Sequence, residues 1–245
     1  MITILDKSAI LVCLQELPFF REWESAEVDH ILDLHHLVHF QVYRMGEFFI
    51  HQEDLDTSLY VMLAGRASVV KSGSSIPLAE LRAGQFFGEV SFLTEEPRGT
   101  NVIVHGSTSE DPNSLEGHIC SALGIKLPSP LAADAAVVMR LDRGIMELLR
   151  PATREILLNH FIATIVQRLD AMNERITQLT GKIPMLSIDA GLSDLFDQAS
   201  LLAACGEEIP GTSIAEREAL HMRLLRQLFQ CQKEMNDFLI QNESG

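Results

Sequence analysis

The sequence predicts an α+β protein: a small antiparallel β-roll or jelly-roll barrel with flanking N-terminal helices, a long helix after it, and an additional helical tail. Three observations carry this expectation. From Val38 to about Val104, apolar residues fall in short alternating or β-branched runs cut by Gly and Ser-Gly turns, the rhythm of a small all-β barrel. Ahead of them Ile10, Leu11, Leu14 and Leu17, then Val28, Ile31, Leu32 and Leu34, step at helical spacing on either side of Pro18-Phe19-Phe20. Beyond Pro151 the residues Leu158, Ile162, Ile165, Leu169, Met172, Ile176 and Leu179 recur at alternating steps of four and three, an a/d seam.

The strand candidates are 40–43, 59–63, 67–71, 76–81 and 101–104, with Lys71-Ser72-Gly73-Ser74-Ser75 as a hairpin turn. Residues 106–134 interrupt the pattern with polar, proline-punctuated ends around one helical stretch, 114–123. This reads as an insertion between late strands, either a partner-contact loop or a tolerated excursion. A strand at 135–141 and a short helix near 142–149 close the roll, and Pro151 suits the first turn of the long helix. The expected division is 1–150 for the roll, 151–181 for the long helix and 182–245 for a helical extension, with amphipathic pieces at 192–202 and 220–238. The seam either packs on the chain's own roll or tail, or joins two copies as a parallel homodimer.

Composition narrows the classes. A formal charge of −15 over 245 residues, from 34 acidic against 19 basic, argues against nucleic acid or an anionic membrane as main partner. Residues 185–245 hold only Arg217, Arg223, Arg226 and Lys233 as basic residues, so DNA reading by the tail is not expected. Cys13, Cys120, Cys205 and Cys231 lack metal or redox spacing, and the His30, His35, His36, His39 group has no carboxylate-rich partner motif. No signal or membrane-length apolar segment is seen, so a cytoplasmic protein is expected. GxSxG, HExxH and Walker-type patterns are absent, so no enzyme activity, metal or cofactor is expected.

The densest information lies in the run from Phe86 to Val102. A strand end leads to Gly88, which lets backbone approach a ligand, and a short helix from Glu89 to Leu93 would offer unpaired amides to an anion. Pro97 ends that helix, and Arg98 can fork onto phosphate oxygens. A carboxylate at Glu89 belongs opposite a sugar hydroxyl rather than a phosphate. The segments Phe87-Gly88-Glu89, Val90-Ser91-Phe92-Leu93 and Pro97-Arg98, with Gly46 to Ile50 and Asp56 to Gly65 upstream, resemble the cyclic nucleotide-binding domain family of catabolite-activator-type regulators and kinase regulatory subunits.

That resemblance covers about residues 8 to 165. It implies a regulatory module sensing a cyclic nucleotide, cAMP ahead of cGMP, and signalling to a protein partner through the long helix, which would lid the base. It assigns ligand contact to Phe87, Gly88, Glu89, Val90, Ser91, Arg98, Gly99 and Thr100, and homodimers are expected by the same likeness. Two departures stand out: Gly99 removes a hydroxyl the family commonly places after the arginine, and Glu53 stands where a glycine is usual, a costly choice if the backbone there needs positive φ. A ligand-independent dimeric scaffold is the alternative, and a transcriptional regulator a further one. If Arg98 serves only the ligand, replacing it should spare the stability of the ligand-free protein.

Overall fold

The computed structural model describes residues 4–74, 77–106, 113–125, 135–180 and 213–243. Contacts divide the chain into two units, 1–149 and 150–245. Among the described residues the first is built on eight strands: β1 (Val38–Arg44), β2 (Phe48–Ile50), β3 (Leu59–Ala64), β4 (Arg66–Val70), β5 (Pro77–Arg82), β6 (Phe86–Phe87), β7 (Asn101–Gly106) and β8 (Ala135–Leu141). They form two four-stranded sheets, ordered β1-β8-β3-β6 and β2-β7-β4-β5, with every recorded pairing antiparallel. The inner faces meet in a core that includes Phe49, Tyr60, Met62, Phe87, Val102 and Val138. Burying such apolar surface is the main drive to close the roll.

The long strands are those the alternation marks. β2 and β6, at three and two residues, are too short for a period-two pattern to register. All six residues of β3 are buried, so that strand reads as a continuous apolar run. The turn after β4 is present, with Ser74 N–H donating to the Lys71 carbonyl at 3.0 Å; Ser75 and Ile76 lie outside the described residues.

Helices α1 (Lys7–Glu16) and α2 (Ser25–Asp33) precede the roll. Asp6 caps α1 by accepting from Ala9 N–H at 2.9 Å. The connector Phe19-Phe20 packs with Trp23, and Phe19 lies 5.5 Å from the Phe86 ring, which ties the helices to β6. Helix α3 (Glu89–Thr94) follows β6. Part of the insertion forms α4 (Leu115–Ala122), capped by Ser114, with Ile119 and Cys120 fully buried. The Ala122 carbonyl accepts the N–H groups of Leu5 and Asp6 at 3.0 and 3.1 Å, and Glu116 accepts from Gly65 N–H at 3.2 Å. This stretch is therefore built into the domain rather than standing away from it. Its flanks, 107–112 and 126–134, lie outside the described residues. Helix α5 (Ile145–Leu148) ends the unit.

The second unit contains two 30-residue helices, α6 (Pro151–Thr180) and α7 (Ile214–Glu243). At about 1.5 Å per residue each is about 45 Å long. Ser213 and Glu216 form a reciprocal capping box at the start of α7. Arg154 pairs with Glu218, Arg217 with Glu155 and His221 with Asn159, so the helices run parallel in register. The seam residues Leu158, Ile162, Ile165, Leu169, Met172 and Ile176 are each 8% exposed or less within one chain, where α6 packs along α7. The apolar face expected to join two copies is thus covered internally, by residues such as Leu224, Leu228, Met235 and Leu239. The side chain of Leu179 and the amphipathic piece at 192–202 lie outside the described residues. No described helix is long and apolar enough to cross a membrane.

Candidate functional site

Gly88 sits at φ +85 as the N-cap of the six-residue α3, and a Cβ there would come within 2.6 Å of Arg98 Nη1 and 3.0 Å of the Ser58 carbonyl. Glycine is required on both counts, conformation and space. The approach it permits is to this chain's own arginine: Arg98 Nη1 donates to the Gly88 carbonyl at 2.8 Å. Nη2 donates to the Ser58 carbonyl at 2.6 Å and to Asp56 Oδ2. The side chain is 2% exposed, its guanidinium carbon is 5.7 Å from the centre of the Tyr60 ring, and its Nε is buried without a partner among the described residues.

Its main chain is held from the same side. Arg98 N–H donates to the Asp54 carbonyl and Glu53 N–H to the Arg98 carbonyl, both at 2.8 Å. Glu53 takes φ +71, so the departure from glycine noted in the sequence does fall on a left-handed position. Pro97 precedes the pairing, and α3 ends at Glu95 in a left-handed C-cap, φ 62. Arg143 secures α3 by donating to the Phe92 carbonyl at 3.0 Å and pairing with Glu95 at 2.7 Å.

Arg98 forms one wall of a cavity of about 300 Å³, at the small end of the range for small-molecule sites. Sheet β1-β8-β3-β6 contributes Gln41, Tyr60 and Arg140; β2 contributes Phe49 and Ile50; the loop before β3 contributes Asp54 and Asp56. Asp56 is the hub. Its Oδ2 meets Arg98 and the Tyr60 hydroxyl, which donates at 3.2 Å; its Oδ1 accepts from Ser58 Oγ at 2.8 Å and Arg140 Nη2 at 3.3 Å. Arg140 also donates through Nε to Ser58 Oγ at 2.9 Å and pairs with Asp142 at 3.0 Å.

Burial acts to raise the Asp56 pKa, but the bonds from Arg98 and Ser58 and the charges of Arg98 and Arg140 more than offset it and hold the carboxyl at about 2. Burial first, then the Asp56 charge, pushes the Tyr60 phenol well up. For Arg140 burial acts to lower the pKa, yet Asp142, Tyr60 and Asp56 leave it raised. Asp56 is therefore ionised across the neutral range, set between Arg98 and Arg140.

Of the eight residues singled out in the sequence, only Arg98 lines this cavity. Gly88 contacts Arg98; Phe87 is buried and stacks 5.2 Å from Tyr60. Glu89 and Ser91 are buried in α3, at 3% and 2% exposure, Val90 and Thr100 are half-buried, and Gly99 is exposed with open space around it. The sequence reasoning did not assign Asp56, Tyr60, Gln41 or Arg140 to the site. A signal for Arg140 was available: it is the one charged residue in the apolar strand Ala135–Leu141. Among the described residues no group of His, Cys, Asp and Glu is placed to hold a metal ion.

A roll of two antiparallel sheets thus sets a buried arginine against a hollow of about 300 Å³. Residues 40–109 match the profile of the cyclic nucleotide-binding domain. A cAMP-dependent protein kinase regulatory subunit of Mucor circinelloides f. lusitanicus is 30% identical over 95 residues, 38% of this chain and 22% of that protein. Another, from Blastocladiella emersonii, is 28% identical over 130 residues, 52% of this chain and 29% of the relative. The match thus spans less than a third of each relative. Among solved structures, the regulatory domain of Toxoplasma gondii PKA with cAMP aligns at 19% identity and TM-score 0.44, over 62% of this chain and 48% of that one.

Proposed function

We propose that residues 1–149 form a cyclic nucleotide sensor, with cAMP the preferred ligand over cGMP, and that the helical unit carries the output to a protein partner. The observation that carries this reading is the buried Arg98 guanidinium, held by the Phe87-Gly88-Glu89 and Pro97-Arg98 cassette against a cavity of about 300 Å³. The family match and the curated relatives, described as cAMP-dependent protein kinase regulatory subunits, support it. In this reading Arg98 holds the cyclic phosphate and Glu89 the ribose 2′-hydroxyl. Ligand leverage on the partner is limited to the difference in affinity between two arrangements of the protein. Self-association through the α6 seam is not part of the proposal, because that seam is covered within the chain.

Calorimetric titration of the full chain with cAMP and cGMP tests it. Saturable cAMP binding, weaker cGMP binding and loss of both in Arg98→Leu are expected; no heat with either nucleotide refutes the reading. That second outcome favours the ligand-independent scaffold. One observation stands for the scaffold: Gly88, Ser58 and Asp56 already occupy both terminal nitrogens of Arg98.

A further inference from the structure

Gln41 lines the same hollow as Arg98 and is tied there by a neighbour on its own strand. Side chains two apart on a strand share a face, so Gln41 and Tyr43 of β1 both turn into the roll. The Tyr43 ring packs edge-on against Phe49 at 4.5 Å, and its hydroxyl donates to Gln41 Oε1 at 2.9 Å. Burial pushes the Tyr43 phenol up, so it remains a donor across the neutral range. A bond to the carbonyl end of an amide fixes which way the amide points. Gln41 therefore holds Oε1 beside Tyr43 with one lone pair spare, and among the described residues no group accepts from its Nε2. A half-buried amide at the wall of a cavity thus offers a donor and an acceptor side by side.

Such an amide complements the N6 amino group and N7 of adenine. It fits guanine at one point only, because O6 and N7 are both acceptors. The span also suits a nucleotide. Gln41 is in register with Val138 of β8, while Tyr60, beneath the Arg98 guanidinium, is in register with Arg140 of the same strand. β1 and β3 thus flank β8 and stand roughly 10 Å apart, at about 4.8 Å between neighbouring strands. One side of the hollow holds a cation and the other an amide, and Phe49 and Ile50 of β2 add apolar surface for a ring. We propose that Gln41, positioned by Tyr43, reads the N6–N7 edge of an adenine base whose phosphate lies on Arg98. The proposal rests on the cyclic-nucleotide reading and deepens it by naming the residues that favour adenine over guanine.

Calorimetry of the full chain with four cyclic nucleotides provides the test: cAMP, cGMP, 7-deaza-cAMP, which lacks the N7 acceptor, and purine riboside 3′,5′-cyclic monophosphate, which lacks the 6-amino group. The wild type should bind cAMP roughly tenfold to a hundredfold tighter than cGMP, and each analogue several-fold more weakly than cAMP. Gln41→Met keeps the reach of the side chain and removes the amide, so its four affinities should fall within about threefold of one another. Tyr43→Phe keeps the ring and releases the amide, and should shrink the preference for cAMP over cGMP several-fold. A merely structural role for Tyr43 would instead weaken both nucleotides alike. Equal binding of cAMP and the two analogues by the wild type overturns the proposal and leaves the sensor reading standing, and this arm depends on no variant. A preference that survives intact in Gln41→Met overturns the role of Gln41. Absence of binding by all four nucleotides overturns the sensor reading and the proposal together.

Discussion

Arg98 in the roll and Arg217 in the helix pair are both buried arginines facing an acid from another segment, yet they are bonded differently. Arg217 meets Glu155 through Nε at 2.9 Å and Nη2 at 3.2 Å, one carboxylate oxygen for each nitrogen. Arg98 meets Asp56 through Nη2 alone, shares that nitrogen with a main-chain carbonyl, and has its Nε without a partner beside a cavity. A forked pair with both oxygens used fixes the register of two helices. A single-nitrogen pair leaves the other carboxylate oxygen to further donors, here Ser58 Oγ and Arg140 Nη2. The same two residue types thus align two helices in one unit and line a cavity in the other.

The largest expected effect is on Arg98. Three of its N–H groups satisfy Gly88, Ser58 and Asp56, so Arg98→Leu should destabilise the ligand-free protein by about 3–5 kcal/mol as well as abolish nucleotide binding. This corrects the expectation that the arginine is spare in the absence of ligand. Chemical denaturation of the variant without nucleotide measures it, and a wild-type midpoint would break the comparison. Arg217→Met should cost about 2–4 kcal/mol in the melting of the helical unit while leaving cAMP affinity unchanged. A matching loss of affinity would show that the two arginines are not separable.

A smaller effect follows from pH. The Asp56 carboxyl is depressed from 3.8 to about 2 in the folded state, so its contribution is complete above about pH 4 and is lost as pH falls toward 2. With the side chain 31% exposed, solvent screening reduces the contribution to about 1–2 kcal/mol. Urea unfolding of the wild type and Asp56→Asn between pH 6 and pH 2.5 should converge at the acid end. Parallel curves would mean the folded network does not hold the charge.

The legible parts of the molecule were those written locally. The helices at 7–16 and 25–33 and the strands β1, β3, β4, β5, β7 and β8 follow from periodicity, because each buries one face or both. The cassette was legible because Gly88, Pro97 and Arg98 lie within a dozen residues, and chain geometry alone brings them together. The Asp56, Arg98 and Arg140 network was not, since its members come from a loop, the cassette and β8, 42 and 84 residues apart in their recorded bonds. The pairing of α6 was half legible. An a/d repeat announces that a seam will be filled without saying by what, and Arg217 and His221 interrupt the matching repeat in α7 with polar groups that only pairing to Glu155 and Asn159 explains.

The smallest expected effect sharpens the contrast between a relaxed pair and a strained site. Glu53 holds φ +71 while its N–H donates to the Arg98 carbonyl, so strain sits beside the cavity arginine, and none of the described non-glycine residues of the helix pair has a positive φ. Glu53→Gly removes a left-handed penalty of about 1–2 kcal/mol. Against this, glycine frees the unfolded chain by about 0.4–1 kcal/mol, so the net gain should be about 1 kcal/mol. In a chain of this length that is a rise in melting temperature of about 1–3 °C. The cAMP affinity should stay level if the turn only clamps the Arg98 main chain. A gain in stability joined to a loss of affinity would instead show that the strained turn aims the guanidinium.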